Sequence, residues 1–358
     1  MRLSLILALF SWLFFYSCKF SKTEIVDPQI EIIDFEFPGI SIRALQVIND
    51  SCVWFAGSKG TWGYTSDGGE NWYVDTLRIP GAVPELRSIK VTANGNIFLV
   101  NIMNPASVYR SINKGNSWQL VYTDTSKIAF FDAVNFWNDE TGIILGDAHN
   151  NCFHLAVTRD GGKSWKRLIC DSIPPALTDE NPFAASNTNI ALAGNSVWIG
   201  TGGKSQSRVI FSTNHGKQWQ VAATPIISGE QMTGIYSVDF LDSNTGVIAG
   251  GNWDSVSYSC INLALTKNGG QTWKSLPNEG NSGFISCVQW IPEQNGQYLF
   301  SLSGRARGGN SLMALFDFKT HEWISFPNEK NYLSIRFASP NIAWVSGNGF
   351  IGKMELTY

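Results

Sequence analysis

Apolar and polar residues alternate along this chain in short runs that never reach helical length. Ala133-Val-Asn-Phe136 alternates, Asp139-Glu-Thr-Gly142 breaks the run, and the apolar stretch Ile143-Ile-Leu145 follows. A loop containing Gly146-Asp147 leads to Leu155-Ala-Val157, a second turn, and Trp165-Lys-Arg-Leu168. Four short strands separated by turn residues predict a small antiparallel sheet. The same order returns at Tyr236-Ser-Val-Asp-Phe240, Val247-Ile-Ala249, Leu263-Ala-Leu265 and Trp273-Lys-Ser-Leu276.

Each unit closes on one motif. Thr65-Ser-Asp-Gly-Gly-Glu-Asn-Trp72 is followed by copies ending at Trp118, Trp165, Trp219 and Trp273, and by a worn copy ending at Trp323. The tryptophans recur roughly 46 to 54 residues apart, a period that marks stacked supersecondary units. Sheets repeated around an axis predict an all-β fold, a β-propeller of four-stranded antiparallel blades. Six units end at the motif tryptophans. A seventh runs through Tyr332-Leu-Ser-Ile-Arg-Phe337, Ala343-Trp-Val345 and Ile351-Gly-Lys-Met-Glu-Leu356, one strand short. The alternating segment Ile30 to Phe37 supplies the missing strand, so the count predicts seven blades with the ring closed by an N-terminal strand.

The motif has a mechanical reading. Asp67, Asp160, Asn113, Asn214 and Asn268 can fold a side-chain oxygen onto backbone N–H groups of the turn. Gly69, Gly115, Gly162, Gly216 and Gly270 suit positive φ, and the tryptophan buries its ring on a neighbouring sheet. In the sixth copy Phe316, Phe318 and Thr320 replace the hydroxyl, the acid and the glycine, which predicts another turn geometry. The pattern resembles the Asp-box, or bacterial neuraminidase repeat, of sialidases and sortilin-type receptors. With Val-x-Phe and Thr-Gly-x-x-x-Gly before the box, as in the third and fifth units, it looks most like the photosystem II stability/assembly factor family, which has exported bacterial relatives. The resemblance covers about residues 30–358 and implies a binding or assembly scaffold.

Bulk numbers narrow the functions. The 358 residues carry 34 glycines, only 15% charged residues and a net charge of −3, so there is no basic field for nucleic acid. Met1-Arg2, an apolar run from Leu3 to Phe15 and Ser17-Cys18 read as an export signal over residues 1–18. The small residue before the cysteine resembles a lipobox, which implies lipidation of Cys18, a tether over 19–29 and a propeller over 30–358. The expected location is the cell envelope, periplasmic or outer-membrane associated, with membrane contact through the lipid alone. Cys52, Cys152, Cys170, Cys260 and Cys287 show no disulfide framework and are expected to pack mostly as small apolar residues.

Catalytic patterns are sparse. Neither Gly-x-Ser-x-Gly nor His-Glu-x-x-His occurs, and no cofactor or metal is expected. The enzyme alternative is a sialidase-like glycoside hydrolase, for which Arg78-Ile79-Pro80 matches one family motif, though after the first box and not before it. The favoured reading is a non-catalytic, monomeric module for a protein or glycan partner. Its site is expected on the loops opposite the motif turns, where the repeat varies most. The candidates are Asp147, His149, Lys204, Arg208, Trp253, Asp254, Arg305 and Arg307, with Trp253 as an aromatic anchor.

Overall fold

The computed structural model describes residues 28–255, 260–277, 283–303, 312–328 and 330–358. Apart from two short 3-10 turns, every regular element among them is a β-strand, and no described helix is long and apolar enough to cross a membrane. The strands pair antiparallel into six sheets arranged as a β-propeller. Four are simple quartets, such as Phe131–Phe136, Gly142–His149, Cys152–Thr158 and Lys166–Arg167. A fifth, built on Thr233–Phe240, adds the two-residue strands Glu180–Asn181 and Gly202–Gly203 on its axial side.

The blade count is corrected by the sixth sheet. The structure has six hydrogen-bonded blades and not seven, because the first and last units share one six-stranded sheet. Two long strands fuse them, Gln29–Asn49 and Ile342–Thr357. Gln29 to Glu36 pair with the end of the last strand, from Thr357 back to Phe350, as the closure expectation required. The register then breaks between Glu36 and Ser41, and Ile42 to Asn49 pair instead with Cys52–Gly57. The sheet bends there, so that Leu45, Val53 and Phe55 from one end pack on Trp344 and Ile351 from the other. Innermost strands contact one another in sequence, and Tyr332–Phe337 returns to the first. Separate apolar clusters fill each gap between neighbours, for example Trp62 with Leu99 and Phe98 with Ile144.

The motif turns are wired alike. In the first, the Thr65 hydroxyl donates to Asp67 Oδ1 at 2.7 Å and accepts from Gly69 N–H at 3.1 Å. Asp67 Oδ1 also accepts from Asn71 N–H at 2.9 Å. Ser111, Asn113 and Gly115 repeat this, as do Thr158 with Asp160, Ser212 with Asn214, and Thr266 with Asn268. These hydrogen bonds hold the Asp67 and Asp160 carboxyls down at about 2, with Asn71 and Ser164 as the main donors. In the sixth turn Asp317 accepts from Lys319 N–H, and the positive φ of 61° falls on His321, one place after the position that is glycine in the other copies.

Two of the five described cysteines are paired. Cys152 and Cys170 form a disulfide, because pairing Ala156 with Arg167 carries Cys170 back to the level of Cys152. Cys52 and Cys260 are half-buried thiols and Cys287 is a buried one.

Gly115 separates two costs. Its φ is +87°, and an added Cβ would lie 1.9 Å from the Trp62 ring; Gly81, at φ +74°, has nothing within 4 Å. Gly81→Ala therefore bears only backbone strain, about 1 kcal/mol. Gly115→Ala must also displace a packed indole and is expected to cost about 3 kcal/mol or more. Urea unfolding of the two variants checks this; equal costs would mean that the ring does not press on the turn.

Candidate functional site

Residues 181–189 lie across the axis of the ring. Ser186 Oγ donates to Ser286 O at 2.8 Å, Ser334 Oγ donates to Ser186 O at 3.0 Å, and Arg336 Nη2 donates to Asn187 O at 2.7 Å. Asn187 Nδ2 reaches Ile89 O at 3.3 Å, Val238 N–H donates to Thr188 O at 2.7 Å, and Ala148 N–H donates to Asn181 Oδ1 at 2.8 Å. The segment then enters the strand Ile190–Ala193. It thus touches every sheet and splits the axial space into two cavities, one lined by Ala184 and Ala185 and the other by Asn187.

The first cavity, about 380 Å³, is the mouth on the side away from the motif turns. Arg43, Arg87, Asp132 and Tyr236 enter it from the starts of axial strands. They occupy one place in a repeated quartet: Ile42-Arg-Ala-Leu45, Leu86-Arg-Ser-Ile89, Phe131-Asp-Ala-Val134 and Ile235-Tyr-Ser-Val238. Flanking apolar and small residues pack between sheets, so the second position alone is free to vary. Tyr236 stacks on Phe183 at 4.2 Å between centroids and donates its hydroxyl to Met232 O at 3.0 Å. Trp253 meets Phe284 edge-on at 5.3 Å, and the Arg43 guanidinium lies over its ring at 5.6 Å.

The charges are unevenly settled. Arg87 pairs with Glu85 at 3.3 Å. Arg43 is lowered to about 10, first by burial and then by Arg87. Both Asp132 carboxyl oxygens are buried without a hydrogen-bond partner. Burial, then the neighbouring Asp147, pushes Asp132 well above the usual carboxylate range, against the pull of Arg87. Burial raises Asp147 to about 7. An unpaired buried acid opposes folding; natural chains keep such groups at sites that need them.

The expected site residues part company here. Asp147 and Trp253 line this mouth, while Asp254 is exposed beside it. Lys204 pairs with Asp179 on the rim at 3.1 Å. Arg208 does not face the loops: it is buried in a strand, paired with Glu180 and donating to Pro175 O, and so secures the fold. His149 is exposed at a strand end and borders a separate pocket with His154. His154 faces Tyr122 Oη at 2.9 Å and Asp124, and burial lowers it to about 4. Among the described residues no three His, Cys, Asp or Glu side chains are grouped to hold a metal. Arg78 is exposed on the connection after Tyr73–Thr76 and lines neither axial cavity. Arg305, Arg307 and Cys18 lie outside the described residues. Sequence reading missed Arg43, Arg87, Asp132, Phe183 and Tyr236; the varying place in the quartet is the signal for all but Phe183.

No protein-family model matches this chain, and no curated protein matches it. Solved structures do. YCF48 bound to a D1 peptide superposes with TM-score 0.64 at 14% identity, over 91% of this chain and 95% of that one. YCF48 from Cyanidioschyzon merolae gives 0.62 at 13%, over 89% and 98%. Virginiamycin B lyase from Staphylococcus aureus gives 0.63 at 12%, over 92% and 100%. At these identities the likeness shows the fold alone. A photosystem II assembly factor and a lyase share it, so function must be argued from the site.

The buried acids set a pH dependence. Their folded-state values lie above the ordinary one, so the stabilising contribution of the protonated form is complete below about pH 4; Asp147 loses it as pH rises through about 7, and Asp132 loses it as pH rises above the usual carboxylate range. Asp132→Asn removes the charge. The variant is expected to match the parent near pH 4 and to exceed its stability by at least about 1 kcal/mol near pH 8. Urea midpoints across pH check this; a variant weaker than the parent near pH 8 would contradict it.

Proposed function

We propose that this chain is a non-catalytic propeller, exported and lipid-anchored through Cys18, that holds a protein partner in the mouth of its ring. The observation that carries the reading is the mouth itself. Phe183, Tyr236 and Trp253 form an aromatic wall around about 380 Å³, with Arg43 stacked on Trp253 and the acids Asp132 and Asp147 in the same cavity. Rigid aromatics beside charges, on a scaffold that cannot collapse, are what a partner's side chains need as anchors.

Two further points support it. YCF48, which shares the fold, is known with a peptide bound. The motif turns, read as Asp-boxes, satisfy their own polar groups and leave the opposite face as the one with unsettled charge. In this reading the turns are scaffold and the lipid sets the location in the cell envelope.

The test is capture from envelope extract by the intact chain and by Trp253→Ala. Loss of the indole is expected to weaken a specific protein partner by about 2 kcal/mol, roughly thirtyfold. A partner held equally by both proteins would overturn the mouth as the site, and turnover of sialosides would favour the hydrolase alternative. The anchor has its own check. Cells fed an alkyne fatty acid should label the parent protein and not Cys18→Ser; equal labelling would refute lipidation at that cysteine.

A further inference from the structure

The second axial cavity lies on the other side of residues 185–187, towards the motif turns, and measures about 280 Å³. In its polar wall Gln46, Lys90, Asn135 and Asp239 stand three residues beyond the mouth residues Arg43, Arg87, Asp132 and Tyr236, and Gln289 and Arg336 complete the ring. The repeat that turns one ring of side chains to the mouth thus turns a second ring inward here.

Donors outnumber acceptors in this ring. Gln289 Oε1 is already occupied by Phe337 N–H at 2.9 Å and Asn135 Oδ1 by Phe136 N–H at 2.9 Å, so both amides have NH2 groups left for the cavity. Arg336 is held in place by its hydrogen bonds to Asn187 O and Ile335 O. Asp239 is held by Trp290 N–H at 2.7 Å. Lys90 differs, since its ammonium has no hydrogen bond or ion pair among the described residues although it is enclosed by the channel wall. Two cations therefore face one carboxylate. Burial, then Arg336, lowers Lys90 to about 8, and burial raises Asp239 to about 6.

We infer that this cavity binds a small oxyanion, a carboxylate or a phosphate group, held by Lys90 and Arg336 with the amides of Asn135 and Gln289. An anion completes the hydrogen bonding of Lys90 and cancels the excess positive charge, and charge-assisted bonds in a partly enclosed space are the strong ones. The site is independent of the mouth, because residues 185–187 stand between them.

Calorimetric titration of the full-length protein with sodium phosphate and with sodium acetate, at constant ionic strength in chloride, tests this. Saturable binding of at least one anion is expected, and the one preferred distinguishes a phosphate-bearing ligand from a carboxylate. Lys90→Met should weaken binding roughly tenfold or more, and Lys90→Arg should retain most of it. Asp239→Asn, which keeps an acceptor for Trp290 N–H but removes the opposing charge, should bind more tightly. Lys90, Arg336 and Asp239 are the charged groups among the described residues lining the cavity. Acetate affinity should therefore rise as pH falls through about 8 and again through about 6. The inference is overturned if neither anion saturates, if Lys90→Met binds like the parent, or if Asp239→Asn binds no more tightly. The Asp239 arm remains decisive should Lys90→Met fail to fold.

Discussion

The structure depends on nine residues that run through its centre. A propeller ring leaves the axial edge of each innermost strand with backbone groups that no neighbouring strand can reach, and those groups must find partners. Residues 181–189 provide many of them. Ile89, Val238 and Ala148 belong to three different sheets and Ser286 immediately precedes the first strand of a fourth, and each exchanges a hydrogen bond with this segment. Arg43, Ser334 and Arg336 bind it from the shared sheet of the two termini. The ring is thus closed at its rim by strand pairing and at its axis by this segment. The same segment divides one channel into two sites of different chemistry.

That division separates stability from function along each strand. Small residues such as Ser88 and Ser237 tie neighbouring sheets together by donating or accepting across the gap. The positions one before and two after them face the axis and are left to vary. At the mouth they give aromatics, arginines and a pair of acids that burial holds partly protonated. Three residues further on they give lysine, arginine and amides. The motif turns satisfy themselves and take no part in either site. Their tightly hydrogen-bonded carboxylates favour the folded state above the ordinary carboxylate value and lose that contribution as pH falls through about 2, whereas the mouth acids cost stability as pH rises above about 4.

Much of the scaffold was legible in the sequence because it repeats. The strand order, the motif turns and the pairing of Ile30 to Phe37 with the chain's end follow from alternation and from glycine and Asx positions. The blade count was less legible: alternation marks strands but not whether Gln29–Asn49 continues through Pro38-Gly39 as one ladder, which merged two units into six blades overall. Arg208 looked like a loop cation because Gly203 to Ser207 is polar. Only tertiary contact reveals Glu180 beneath it. Trp253 and Asp147 were found because they interrupt the pattern on a loop or strand end. Asp132 and Lys90 were hidden inside strands whose apolar neighbours make them look like ordinary surface positions. The axial segment was hidden by its composition: Pro182 and the polar run Ser186 to Asn189 read as a connection, and nothing local says that a connection crosses the centre.

The claim on which this account rests is that residues 181–189 are a fixed part of the ring. Native-state hydrogen exchange at Val238 reads it directly, since that amide donates to Thr188 O in this segment, across the gap between neighbouring blades, and not to a strand of its own sheet. The account predicts that Val238 exchanges only through global unfolding, at the rate of buried core amides such as Ile248. Exchange at the rate of an exposed loop, with the core still protected, would show that the segment does not hold the ring and would contradict the account.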